Sequence, residues 1–283
     1  MKAPSFAYAK PRSLEEAFVL LRRTEDAKVL AGGQTLLATL NMRLSSPAVL
    51  VDITGVPGLD GIAVRGSVLR IGALTRHREI ERSPEVAEHA PLLAAAAPHI
   101  AHVAIRNVGT IGGSLAHADP AAEWPACCVA LDAEIVVAAR AGERRVRARE
   151  FFKDLFDTAL APGELIAAVE FPLLGAAYRS AFLELARRHG DYAMIGVAAV
   201  AKPAAGALAD VRLAFLGAGT TPVLACGAMA AAEGKKPSPE VIAAVQRALA
   251  QDLAPIGDLN AAPATKLHLA RVLSGRALAQ LAA

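Results

Sequence analysis

Two glycine pairs are the residues best placed to do chemistry in this chain. Ala31-Gly32-Gly33-Gln34-Thr35 and Thr110-Ile111-Gly112-Gly113-Ser114 each follow an apolar stretch and set adjacent glycines beside a hydroxyl side chain. Glycine reaches φ > 0 without steric cost and lets a ligand approach the main chain. Successive N–H groups in such a turn form a concave anion site, and a threonine or serine hydroxyl adds one donor. Neither segment contains Lys or Arg, so an anion here would be held mainly by main-chain dipoles. Two such segments suit one extended ligand carrying a diphosphate, gripped from two sides.

The flanks supply further polar groups. The second segment continues as Leu115-Ala116-His117-Ala118-Asp119-Pro120-Ala121-Ala122-Glu123-Trp124-Pro125. Asp119 before Pro120 has the pattern of an N-cap with proline at the first helical position. His117 sits in this loop, a place that invites a catalytic role. His99 and His102 have no ligand spacing with a third partner, so a zinc site is not expected. Gly217-Ala218-Gly219 imitates a dinucleotide fingerprint, but Pro222 stands where its third glycine belongs.

The elements that must position these groups fall into three regions. In region 1–55, Phe6–Tyr8 reads as a strand and Ser13 with Glu16 as a capping box opening a helix to about Arg23. Val29-Leu30 leads into the first glycine pair. Leu36–Arg43 reads as a helix and Val49–Ile53 as a strand. Region 56–175 begins with strand-like runs around Gly66, and Thr75 is expected to cap a helix to about Arg82. An alanine-rich helix spans Pro91–Ile100, interrupted near Pro98. After the second glycine pair come a helix over Ala121–Leu131 and strands at Glu134–Ala138, Arg144–Arg147 and Leu165–Phe171. Region 176–283 reads as strands at Tyr178–Ala186, Tyr192–Ala201 and Val211–Phe215. Helices at Ala225–Glu233, Pro239–Ala250 and Pro263–Leu281 follow. Strands followed by helices argue for an α+β unit.

Composition narrows the function classes. The 283 residues are 54% hydrophobic but only 4% aromatic, so the cores are built from Ala, Leu, Val and Ile. A formal charge of +3 gives no nucleic-acid footprint, and the run Arg144–Arg149 reads as a solvated strand edge. Three cysteines, two of them adjacent at Cys127-Cys128, make neither a disulfide framework nor an iron–sulfur site, which needs four thiolates. Buried free thiols favour a reducing, cytoplasmic setting. No apolar run approaches a membrane span, and the N-terminus lacks the apolar stretch of a secretory signal.

At the two glycine segments and the Asp119-Pro120-x-x-Glu123-x-Pro125 stretch, the chain resembles the FAD-binding medium subunit of the molybdenum hydroxylases, the carbon monoxide dehydrogenase and xanthine dehydrogenase family. Gly163-Glu164-Leu165-Ile166 and Arg187-Arg188-His189-Gly190-Asp191-Tyr192-Ala193 are similar to further stretches of that family. The resemblance implies an α+β chain with a two-lobed PCMH-type FAD-binding fold, like that of vanillyl-alcohol oxidase. The lobes would be 1–55 and 56–175, followed by a C-terminal α+β domain over 176–283. It implies non-covalent FAD held by Leu30, Ala31, Gly32, Gly33, Gln34, Thr35 and Leu36 on one side. Ala101, Thr110, Ile111, Gly112, Gly113, Ser114, Asp119 and Glu123 would hold it on the other. Leu165 and Ile166 would give apolar contact, and Tyr192 would cover one face of the flavin ring.

Glu123 stands where the family often has aspartate. No residue is expected to do acid–base chemistry on a substrate or to ligate a metal. The molybdenum cofactor and two [2Fe–2S] clusters are expected in a large and a small partner subunit, in a heterotrimer or a dimer of heterotrimers. A stand-alone flavin oxidase or reductase of the same fold, and a flavin-free assembly subunit, are the alternatives.

Overall fold

A parallel three-stranded sheet opens the chain in the computed structural model, which describes residues 2–283. It is built from β1 (Ala7–Ala9), α1 (Leu14–Arg23), β2 (Ala27–Leu30), α2 (Leu36–Asn41) and β3 (Val49–Asp52), with strand order β1-β3-β2. Ser13 Oγ accepts from the Glu16 amide at 3.2 Å. The Glu16 carboxylate reaches one residue past the expected partner, accepting from the Arg12 amide at 2.7 Å. Ala17 and Phe18 of α1 pack with Val49 and Val51 and with Leu165 and Ala167 of the next sheet. The first lobe is thus bonded by its core to the back of the second.

The second lobe contains β4 (Ile62–Arg65), β5 (Val68–Gly72), α3 (His77–Arg82), α4 (Pro84–His89), α5 (Pro91–Ala96), α6 (Val103–Arg106), α7 (Ile111–His117), α8 (Glu123–Ala130), β6 (Glu134–Ala139), β7 (Gly142–Arg147), α9 (Ala148–Phe151), β8 (Phe152–Asp154), β9 (Asp157–Thr158) and β10 (Leu165–Pro172). Five strands form an antiparallel sheet in the order β4-β5-β10-β6-β7. β7 is the edge, as its alternating arginines suggest. Arg144 meets Glu164 at 2.6 Å and Arg145 meets Glu170 at 2.8 Å, a charged edge that discourages strand addition.

Several local expectations are corrected here. Thr75 does not cap α3; it is buried and its hydroxyl donates to the Gly61 carbonyl at 3.1 Å. The alanine-rich helix, by contrast, breaks near Pro98 as expected: it ends at Ala96 and becomes a 3-10 turn over Ala97–His99, because Pro98 cannot continue the α-helical ladder. Asp119 is not an N-cap. It closes a turn by accepting from the Ala121 amide at 2.9 Å, and α8 starts only at Glu123 behind Ala122.

The remaining chain forms β11 (Arg179–Leu185), β12 (Ile195–Ala204), β13 (Ala207–Leu216), β14 (Val223–Leu224), α10 (Cys226–Ala232), α11 (Pro239–Asp252) and α12 (Pro263–Ala282). The strands pair antiparallel in chain order. β12 shows why this sheet docks where it does. Val197, Ala199 and Ala201 face the three helices, while Ala198 and Val200 join the core of the second lobe; side chains alternate across a strand. β12 begins at Ile195, not at Tyr192, so Tyr192 lies on the connection from β11. Among the described residues no helix is long and apolar enough to cross a membrane.

Candidate functional site

The first glycine pair behaves as its sequence suggests. Gly33 has φ +68°, a left-handed conformation that a branched side chain opposes. Beyond β2 the backbone turns into α2. The amides of Gly32, Gly33, Gln34, Thr35 and Leu36 make no hydrogen bond to another group of the chain among the described residues. Gln34 steadies the turn, its Nε2 donating to the Gly32 carbonyl at 3.2 Å. Five consecutive unpaired amides, half-buried at the start of a helix, are left free to donate to an anion.

The second segment does not. Thr110–Ser114 is not an open loop but the beginning of α7, and Gly112 and Gly113 have no positive φ. Its amides are already engaged within the chain. Ile111 N donates to Thr75 O at 3.1 Å, Gly112 N to Ala73 O at 2.8 Å and Gly113 N to Thr110 Oγ1 at 3.2 Å. Gly112 is glycine for packing, since a Cβ there would lie 2.7 Å from the Ala73 carbonyl oxygen. The expected second nest is therefore corrected: helix capping and the β5–α3 connection use its donors. Ile111 is fully buried, and Ser114 keeps its hydroxyl without a partner among the described residues.

The two segments nevertheless meet. A Cβ on Gly32 would run into the Val108 carbonyl and lie 2.8 Å from Gly109 Cα. The first turn thus rests directly on the chain that enters α7. Gly109 is held in turn by His77, whose amide donates to Gly109 O at 2.9 Å. The close backbone approach that glycine permits brings the segments together.

The carboxylates sit on the same side. Ala118, at φ +51°, caps α7 in the left-handed region, which costs an alanine about 1–2 kcal/mol. It redirects the chain so that Asp119 follows at the helix end. Gly217 secures this turn from the third domain. Its amide donates to the Pro120 carbonyl at 2.7 Å, and at φ +71° its position leaves no room for a Cβ beside Met194 O. The Gly-Ala-Gly sequence is thus a clamp rather than a nucleotide fingerprint. Glu123 begins α8 with only 8% of its surface exposed. Burial, with Asp119 adding to it, pushes its pKa up to about 7, against the hydrogen bond from its own amide. His117 is half-buried, stacks on Phe156 with ring centroids 4.9 Å apart, and has its pKa lowered by burial against the pull of Asp119.

Tyr192 closes the arrangement. It is 63% exposed, yet its phenol lies beside the Thr35 hydroxyl and feels both Asp119 and Glu123. Partial shielding and those carboxylates raise its pKa, and Thr35 works against them. Gly190 positions the connection: at φ +86° it sits on His102 and Ala101, where a Cβ would be 2.6 Å from His102 Nδ1. Ala101 is itself left-handed at φ +43°. Arg106, buried, fixes it by donating through Nη1 to the carbonyls of Ile100 at 3.0 Å and Ala101 at 2.9 Å. Leu165 and Ile166 stand apart. At 3% and 4% exposure they belong to two packed cores on opposite sides of β10, so the structure gives their side chains a packing role rather than an open apolar contact.

Sequence reasoning missed His77, Trp124 and the buried role of Arg106, partners beneath the surface. Arg106 alone had a visible signal, standing just before the second segment. The groups brought together here suit a nucleotide with a diphosphate. Free amides and a glycine-lined turn suit the phosphates, a buried acid suits a hydroxyl or ring N–H, and Tyr192 suits a flat ring.

The comparisons agree with that fit. Residues 4–174 match the FAD binding domain in molybdopterin dehydrogenase, and residues 180–281 match the CO dehydrogenase flavoprotein C-terminal domain. The chain is 40% identical to the 6-hydroxypseudooxynicotine dehydrogenase complex subunit alpha of Paenarthrobacter nicotinovorans, over 99% of this chain and 95% of that one. It is 34% identical to the carbon monoxide dehydrogenase medium chain of Hydrogenophaga pseudoflava, over 98% and 97%. The solved carbon monoxide dehydrogenase from Hydrogenophaga pseudoflava superposes with a TM-score of 0.97 at 36% identity, covering 99% of this chain and 98% of that one. This chain belongs to the FAD-binding medium subunits of the molybdenum hydroxylases, a family of oxidoreductases.

Proposed function

We propose that this chain is the electron-exit subunit of a three-part hydroxylase. It would take electrons from a [2Fe–2S] partner and hand them to an external acceptor, while a third, molybdenum-bearing chain oxidises the substrate. FAD supplies the link when bound, because a flavin accepts electrons singly and releases them as a pair. Gly32–Leu36 would hold the diphosphate, Asp119 and Glu123 would orient the ribityl or ring end, and Tyr192 would lie over the ring. The observation that carries this reading is the run of five unpaired amides at Gly32–Leu36, with Thr35 beside Tyr192.

The names of the relatives support the division of labour. They span a nicotine hydroxylase, a carbon monoxide dehydrogenase and a quinoline oxidoreductase. A medium chain that keeps its architecture while the substrate changes does not bind the substrate itself. Among the described residues no group of three or more His, Cys, Asp or Glu could hold a metal ion. Cys127, Cys128 and Cys226 are free thiols, which suits a reducing, cytoplasmic compartment. The assembly would be a heterotrimer or its dimer.

The deciding experiment is co-expression with candidate iron–sulfur and molybdenum chains from neighbouring reading frames. A yellow complex whose flavin bleaches when substrate is added supports the reading. A flavin that stays oxidised in the full complex while the clusters are reduced would sink it, as would substrate turnover by this chain alone.

A further inference from the structure

One wall of the cleft carries no exposed charge. Of the whole chain 20% is charged. Yet no Asp, Glu, Lys or Arg stands between Lys28 and Arg43, and residues 90–118 contain only Arg106, which is buried. Part of that chain is core or glycine turn, but the outer sides of α2 and α6 are open. Leu37, Ala38 and Met42 on the α2 segment and Val103, Ala104 and Val108 on the α6 segment are exposed. Even the large ones keep 43–59% of their surface in solvent.

These side chains form one strip. A Cβ on Gly33 would lie 3.2 Å from Leu37 Cδ1, and one on Gly32 would lie 2.4 Å from the Val108 carbonyl oxygen. Leu37 and Val108 therefore flank the same turn. Asn107 N donates to Val103 O at 2.9 Å, which sets Val103 one helical turn behind Val108. The strip ends at His102, against Gly190 on the connection that carries Tyr192. It borders the cleft from the free amides to Tyr192. The other rims differ. Arg187, Arg188 and Asp191 are exposed on the β11–β12 connection, as are Lys153, Asp154 and Asp157 on the β8–β9 hairpin. Charged rims stay hydrated and suit a visitor that comes and goes, whereas lasting interfaces are the more apolar ones and lack charge at their centre. Contiguous exposed apolar surface beside polar rims marks a contact site, and an uncharged one loses little on leaving water.

We propose that the α2–α6 strip is the docking face of the [2Fe–2S] chain, which seats an equally uncharged surface on it. The proposal rests on reading this chain as the flavin subunit of a three-part hydroxylase. Under that reading two kinds of partner reach the cleft. The electron acceptor diffuses in and out, and the open, charged side at Tyr192 serves it. The electron donor stays bound and has to stand on a wall of the cleft. The molybdenum chain oxidises substrate and passes its electrons to the clusters, so it has no need of this wall. The uncharged wall is left to the iron–sulfur chain.

A charge placed on the strip stays in water in the free chain and changes its stability little. Under a partner the same charge is buried without a counter-ion, which is costly for either sign. The test uses the full chain loaded with FAD, in wild type, Val103→Glu, Val103→Lys, Val103→Leu and Met42→Glu. Val64→Glu is the control, at a 42% exposed valine on the edge strand β4. Calorimetry measures affinity for the purified iron–sulfur chain and, separately, for the molybdenum chain; absorbance gives flavin content and sedimentation gives self-association. The charged strip variants should keep FAD and lose at least about thirtyfold in affinity for the iron–sulfur chain, the threshold of an interface hot spot. Glutamate and lysine at position 103 should weaken it alike, while Val103→Leu and Val64→Glu should bind like wild type. Unchanged affinity in Val103→Glu and Met42→Glu overturns the proposal. So does a loss confined to the molybdenum chain or to self-association, or one matched by Val64→Glu. If Val103→Glu sheds its flavin, Met42→Glu on the other helix decides; loss of flavin from both would assign the strip to the flavin site and overturn the docking role. Were the chain no such subunit, the wild type itself would bind no iron–sulfur chain, or would bind one whose reduced clusters leave its flavin oxidised.

Discussion

Trp124 Nε1 donates to His77 Nδ1 at 2.9 Å, and both side chains are buried. Because Nδ1 accepts, the imidazole proton sits on Nε2, which packs against Gly109. The pair ties the chain under the first glycine turn to the helix that starts with Glu123. Burial, then Arg106, holds the pKa of His77 down to about 4, from 6.5. A depressed histidine favours folding above its unfolded pKa. That contribution, on the order of 3 kcal/mol, is lost as pH falls from 6.5 toward about 4. Trp124 is the chain's single tryptophan, so its fluorescence reports this bond. Emission should hold steady down to about pH 5 and then redden and weaken as His77 takes a proton near pH 4. A spectrum unchanged down to pH 3 would mean that the pair does not hold the two segments together.

The glycines separate into three kinds of consequence. Gly32→Ala drives a methyl into Val108 and Gly109 and should part the two segments, removing FAD retention. Gly33→Val opposes φ +68° at a site whose nearest neighbours are the movable side chains of Leu30 and Leu37; FAD retention should again fall, with a stability cost of about 1–2 kcal/mol. Gly113→Ala meets only Thr110 Oγ1, at 2.9 Å, so it should weaken one helix cap by about 1 kcal/mol and leave flavin largely in place. Parallel flavin absorbance and thermal melts of the three proteins check this. If Gly113→Ala lost flavin as completely as Gly33→Val, the amides of α7 would have to be ligands after all.

The architecture was legible because its signals are local. Capping serine, alternating strands and glycine turns are written in neighbouring residues, and the pattern of β12 even records its two faces. The turn was legible where it depends on backbone geometry, as in the left-handed Gly33. It was not where it depends on what lies across the fold. Nothing near Gly112 announces that Ala73 occupies the space a side chain would need, or that the Ala73 carbonyl takes its amide. Glu184 reads as one more polar residue in a strand; only the packing of β11 on the second lobe buries it near Glu123. Leu165 and Ile166 misled for the opposite reason, since an apolar strand entry next to a site looks the same whether it faces a ligand or a core.

Arg106 shows how a buried charge shapes the cleft without touching a ligand. Its guanidinium meets Glu81 at 3.0 Å and the carbonyls of Ile100 and Ala101, which holds Ala101 in its left-handed conformation under Gly190. Arg106→Met leaves Glu81 and those carbonyls without their donor. Breaking a buried ion pair costs about 3–5 kcal/mol, so this variant should melt far earlier than wild type. Arg106→Lys keeps the charge but cannot reach two carbonyls and a carboxylate in one plane, and should recover less than half of the loss. Chemical denaturation of all three decides it. Full recovery by lysine would show that charge, rather than the planar fork, does the holding.

Tyr192 stands where the third domain meets both lobes, so its variants separate binding from transfer. Its ring is mostly exposed and its phenol lies beside Thr35 and two acids. Neither the Gly32–Leu36 amides nor the fold depends on it. Tyr192→Ala should therefore retain most of its FAD, losing only the roughly 0.5–1.5 kcal/mol of an aromatic contact, while the rate at which an external acceptor reoxidises the flavin changes severalfold. Tyr192→Phe keeps the ring and drops the hydroxyl, so its reoxidation rate should stay near wild type. The pair is read by reducing the flavin and mixing with NAD⁺, a soluble quinone or oxygen in turn. An alanine variant that reoxidises at the wild-type rate with every acceptor removes Tyr192 from the exit route. A phenylalanine variant as altered as alanine would move the role from the ring face to the phenol and its neighbours, Asp119 and Glu123.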